Sequence, residues 1–286
     1  MLRSNILRVL IVISYCFLPL FLFSQVYSGS DLAKDKHFIF QVKEIDEFFE
    51  RFNDDPGSFI RSVYKTYQAK FNLSRSRLIR SLFNNEDKTW DNDMVNKFVS
   101  EITNKQKPVY LNFYGGNWYA ELTCVFNDKS SSMLIPIIME IKTSKNGGSK
   151  WMVVAVGPSQ LKANATLPEM ASSKIKTNCI SPTSHATNFV SLKRAFADKE
   201  NLSNYFEGAY FKKSNMQELY SALLDNQIDF QYVIKIKYHF LFANKWIFTV
   251  EDFNREELNS GWLISNMKEV TPSVMESYRY KLLSGN

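Results

Sequence analysis

Three histidines and three cysteines are the residues of this 286-residue chain best suited to nucleophilic, acid–base or metal chemistry. His37, His185 and His239 are scattered, and Cys16, Cys124 and Cys179 form no C-x-x-C pair. Structural zinc sites take their ligands in closely spaced pairs, so no metal site is expected. No cofactor is implied, because the chain has no P-loop, G-x-G-x-x-G, H-E-x-x-H or G-x-S-x-G. His37 stands in the near-terminal "KDKHFIF" and His185 in a polar connection. His239 alone falls inside a strand pattern, beside Lys237 and opposite an aromatic stripe, which describes a surface or satisfied histidine better than a catalytic one. Cys124 reads as part of a core strand and Cys179 as part of a polar segment, so no bridge between them is expected.

The elements that position these residues follow from hydrophobic periodicity. "EIDEFFERFN" sets Ile45, Phe48, Phe49 and Phe52 on one helical face, and Pro56-Gly57 ends it. Further helices are predicted over 59–70, 75–84 and "DMVNKFVSEITN". From Pro108 the period becomes two. "VYLNFYGGNWYAELTCVF" reads as a hairpin turning at Gly115-Gly116, with Trp118, Ala120, Leu122, Cys124 and Phe126 on one face. "MLIPIIMEI" is apolar on both faces and reads as a central strand. Residues 159–185 hold no period and read as a linker. The order then returns: helical patterns at "NFVSLKRAF" and "SNMQELYSALLDNQ", with Ser214 and Gln217 in capping-box spacing. The long strand "DFQYVIKIKYHFLF" follows, with Phe230, Tyr232, Ile234, Ile236, Tyr238, Phe240 and Phe242 on one face. In both halves a turn of Gly, Asn and Ser feeds a Trp that opens a strand: "KNGGSKWMVVAV" at Trp151 and "NSGWLISNM" at Trp262. Two copies of one fold are expected, with a single larger α+β domain as the other reading.

The first residues, "MLRSNILRVLIVISYCFLPLFLFSQ", have a basic start at Arg3 and Arg8 and an uncharged run from Val9 to Phe23. That run falls short of the roughly 20 residues that span a bilayer. Residues 1–24 therefore read as a signal peptide, cut before Gln25, and the protein as exported to the periplasm or cell envelope. The other reading keeps the leader as a membrane anchor, the one route to membrane contact. The formal net charge of +6 includes Arg3 and Arg8 and is spread along the chain. Arg75, Arg77 and Arg80 form its densest basic stretch, read as a solvated helix face rather than a nucleic-acid patch.

Helices followed by a bent antiparallel sheet resemble the NTF2-like (cystatin-like) α+β fold. On "FFERFN", "GGSKWMVVAV" and "NSGWLISNM" the chain is similar to a tandem of such domains in uncharacterised exported bacterial proteins. The domains would cover 40–158 and 186–270, with a C-terminal tail over 271–286. The superfamily hosts both enzymes and scaffolds, so the fold selects no function. The resemblance implies that an enzyme would carry an acid or base on the helix-covered face of its sheet. Neither predicted stripe holds Asp, Glu or His; Tyr232 and Tyr238 could donate a hydrogen bond there. Glu251 and Asp252, at a strand end, are the best of the other carboxylates, and a surface location there explains them equally well. The preferred reading is a non-catalytic protein that binds an envelope protein or a small apolar ligand. The alternative is a small-ligand isomerase- or hydrolase-like enzyme with Tyr232, Tyr238 or Asp252 in a pocket of the second domain. Trp151 and Trp262 are expected to be equivalent core anchors, each packed against the helices of its own half.

Overall fold

The computed structural model describes residues 41–66, 73–144, 147–159, 161, 178–212, 215–256 and 258–285. The leader, His37, Cys16, most of the predicted linker and Ser214 of the capping box lie outside them. The described residues are α+β and belong to one compact unit, Phe40–Asn286.

In chain order the helices are α1 (Ile45–Asn53), α2 (Phe59–Thr66), α3 (Arg75–Arg80), α4 (Asn92–Ile102), α5 (Ser191–Ala197), α6 (Met216–Leu224) and α7 (Pro272–Ser284). The strands are β1 (Trp118–Asn127), β2 (Ser132–Thr143), β3 (Ser149–Val156), β4 (Asp229–Phe242), β5 (Trp246–Phe253) and β6 (Gly261–Glu269). They form one antiparallel sheet in the order β3-β2-β1-β4-β5-β6. Each half thus supplies a three-strand meander, and the meanders meet edge to edge at β1 and β4.

The helices cross over. Phe48 and Phe52 of α1 and Phe98 of α4 pack on Phe240, Phe242, Trp246 and Phe248 of the second half, with Phe98 and Trp246 ring centroids 5.1 Å apart. First-half segments also seal the β6 edge, through the bridges Val42↔Gly261 and Phe83↔Ile264. Reciprocally, the end of the predicted linker and a second-half segment cover β3: the Trp151 N–H donates to Ile180 O and the Glu207 N–H to Val153 O. The expectation that each Trp packs against helices of its own half is therefore corrected. Trp151 meets Phe189 and Trp118, and its Nε1 donates to Pro182 O at 3.0 Å. Trp262 donates its backbone N–H to Val42 O and packs on Tyr238. Both indoles open the last strand of their meander, and both are buried.

Two further expectations change. Residues 109–114 form no strand, because side chains satisfy the backbone that a ladder would have used. The Asn53 carboxamide pairs with both Leu111 N–H and C=O, and Arg75 donates to Phe52 O, Ile102 O and Val109 O. Arg75 is thus a half-buried strut stacked on Tyr110, while Arg77 and Arg80 face solvent. The C-terminal tail holds α7, started by Thr271 and Pro272. Its Met275 and Leu283 cover one end of the outer sheet face, over Tyr119, Ile138, Leu241 and Ile247. No helix among the described residues is long and apolar enough to cross a membrane.

Candidate functional site

The β1 stripe behaves as its alternation requires: Trp118, Ala120, Leu122, Cys124 and Phe126 are all buried. The β4 stripe does not. Its pairing with β1 shifts register between Thr123 and Cys124, and again between Val125 and Phe126. Each shift leaves one extra residue on β4, Ile234 and then Gln231. An extra residue inverts the side-chain parity of the strand. Between the two bulges Val233 points inward, and Tyr232 emerges on the outer face opposite Val125. Tyr232 is 59% exposed and Ile234 53%. The placement of Tyr232 on the covered face is therefore corrected; Tyr238, beyond the bulges, is fully buried as expected.

Tyr232 continues an apolar row across three strands, because Val125 pairs with it on one side and with Leu134, 56% exposed, on the other. The same part of β4 is an open edge. β5 pairs with β4 only from Lys237 to Phe242, so among the described residues Asp229–Ile236 pairs on one side alone. Along that edge runs a cleft of about 390 Å³, lined by Val233–Ile236, Glu251–Phe253, Asn188 and Trp262. Asp252 sits in its wall, and partial burial raises its carboxyl above the ordinary range. Tyr238 lies beneath, 4.9 Å from Trp262 between ring centroids, so of the three predicted ligand-binding residues only Asp252 lines the cleft. Lys235 Nζ bridges to Glu251 at 2.8 Å.

On the outer face His239 is buried between Glu121 and Tyr278. Its Nε2 lies 2.8 Å from Glu121 Oε2 and its Nδ1 2.7 Å from the Tyr278 hydroxyl. An ionised carboxylate only accepts, so Nε2 donates to Glu121, while Nδ1 shares its hydrogen bond with the Tyr278 hydroxyl. His239 is thus a satisfied histidine; sequence reasoning missed both partners, one lying in the unassigned tail.

His185 was missed as well. Ser181 and Pro182 begin a capped 3-10 turn over Pro182–Thr187, which buries the imidazole against Glu44 and Asp46 at the start of α1. The sequence signal was the Ser-Pro start of "SPTSH", read as linker. Donor atoms of Glu44, Asp46 and His185 lie within 4.8 Å of one another, a set that could hold a metal ion. Cys124 is a buried free thiol, its pKa raised by desolvation, and Cys179 an exposed one. Comparison with family models, with curated proteins and with solved structures finds no match to this chain.

Proposed function

We propose that the protein is a non-catalytic exported protein that binds another envelope protein, taking an extended segment of that partner along the open edge of β4. The observation that carries this reading is the unpaired run Asp229–Ile236 with Tyr232 and Ile234 more than half exposed beside it. An exposed edge offers backbone donors and acceptors to an incoming strand, and alternate side chains find the flanking surface. Edge bulges and lysines commonly blunt such edges. Here Lys235 is drawn aside by Glu251, and the bulges turn apolar side chains outward rather than away. Both outermost strands are sealed by bridging segments of the other half, so this edge is an exception within the same sheet.

Export rests on the leader over 1–24. The tandem reading, NTF2-like units at 40–158 and 186–270, is supported by the two meanders related about the β1–β4 pair; the exchanged helices make it an interlocked tandem. Asp252 in the cleft wall is the observation that favours the alternative, a small-ligand enzyme.

The test is capture from the envelope fraction. Tyr232→Lys and Ile234→Lys together are expected to abolish capture of the partner with the melting temperature unchanged, because both side chains are exposed. Undiminished capture by the double variant would sink the edge-docking reading. Asp252→Asn is expected to leave capture intact.

A further inference from the structure

We propose that Glu44, Asp46 and His185 bind a divalent transition-metal cation. His185 is 4% exposed, and its Nδ1 lies 2.8 Å from the carbonyl oxygen of Pro182. A carbonyl only accepts, so Nδ1 donates to it, and Nε2 is the nitrogen turned toward the carboxylates and available to a cation. Nε2 has no hydrogen-bond partner among the described residues, and Asp46 Oδ1 stands 3.9 Å away. That distance is too long for a hydrogen bond and leaves Nε2 facing the carboxylate across a gap. A ring nitrogen tied to a backbone carbonyl, with the other nitrogen free, is how proteins hold a metal-binding histidine.

The carboxylates are placed for the same role. Glu44 occupies the N-cap position of α1, yet its side chain makes no capping bond. Asp46 Oδ1 accepts only from an adjacent N–H, that of Glu47 at 2.9 Å, among the hydrogen bonds described for its side chain. The buried Tyr238 hydroxyl also has no hydrogen-bond partner among the described residues, and burial above all, then the charges of Asp46 and Glu44, opposes its ionisation. One imidazole and two carboxylates suit zinc, manganese or ferrous iron, whereas calcium and magnesium prefer oxygen ligands throughout. Three protein donors leave a coordination position open. Such an ion would join α1 of the first half to the turn that enters the second.

Calorimetric titration of the chelator-treated full chain with Zn²⁺, and separately with Ca²⁺, tests the site. Zinc is expected to bind and to raise the melting temperature, and calcium to do neither. Glu44→Gln and Asp46→Asn, both at partly exposed positions, are each expected to weaken zinc by more than about 10-fold with far-ultraviolet dichroism unchanged. His185→Gln is expected to remove binding. No zinc uptake by the wild-type chain would overturn the proposal. Zinc uptake that persists at full affinity in the Glu44→Gln/Asp46→Asn double variant would assign the metal elsewhere and overturn it equally.

Discussion

Glu121 shows how a single hydrogen-bonded carboxylate can make stability depend on pH. The hydrogen bond from His239 holds its carboxyl below the ordinary value of 4.5. A carboxyl that is more acidic folded than unfolded stabilises the fold above its unfolded pKa, and that contribution is lost as pH falls through the folded value. The expected outcome is a Glu121→Gln variant that melts lower than wild type at neutral pH, with the gap closing as pH drops below about 4.5. Melting curves across that range check it; a gap constant with pH would mean that the pair contributes only packing. Burial and the Glu121 charge push the Tyr278 hydroxyl up to about 12, so it keeps its proton throughout that range.

At the scale of elements, the junction between β6 and the segment before α1 depends on one backbone conformation. Gly261 has φ +82°, and a Cβ there would stand 2.0 Å from Val42 O, the acceptor for Trp262 N–H. Gly147 shares the left-handed conformation, φ +84°, but a Cβ there would meet nothing within 4 Å. Gly147→Ala should therefore cost only the local backbone strain, about 1–2 kcal/mol. Gly261→Ala should cost clearly more, because either strand or segment must move. Chemical denaturation of the two variants makes the comparison, and equal losses would refute it. The Trp residues belong to the same scale. Trp151→Ala removes a fully buried ring that joins β3 to the turn at Pro182 and to Phe189, for an expected loss of about 3–5 kcal/mol.

For the molecule as a whole, the crossed helices make a prediction about independence. Phe48, Phe52 and Phe98 of the first half find their aromatic partners on β4 and β5, while β3 of the first half is covered from the second. Each half also packs on itself, as Phe49 does on Trp118 and Phe196 on Phe230, but leaves much of its apolar surface to be covered by the other. Residues 40–158 and 186–270, expressed separately, are expected to lack the dispersed amide spectrum of a folded domain, and the intact chain to unfold in one transition. A well-dispersed spectrum from either fragment alone would show that the halves are self-sufficient.

The β1 stripe, the faces of α1 and α4 and the paired Trp strand openings were legible because alternation and the 3.6-residue period are local properties of the chain. So was the α+β class, which follows from the order of those periods. Tertiary structure alone decided the rest. Ile234 and Gln231 are ordinary strand residues in sequence; only pairing against β1 makes them bulges and turns Tyr232 outward. Residues 109–114 alternate like a strand, yet Asn53 and Arg75, distant in sequence, take their backbone groups. His185 looked like linker, and the fold sets it beside carboxylates some 140 residues earlier. Periodicity reports which face of an element is apolar. It does not report which element covers that face, because that choice depends on contacts between residues the local pattern cannot relate.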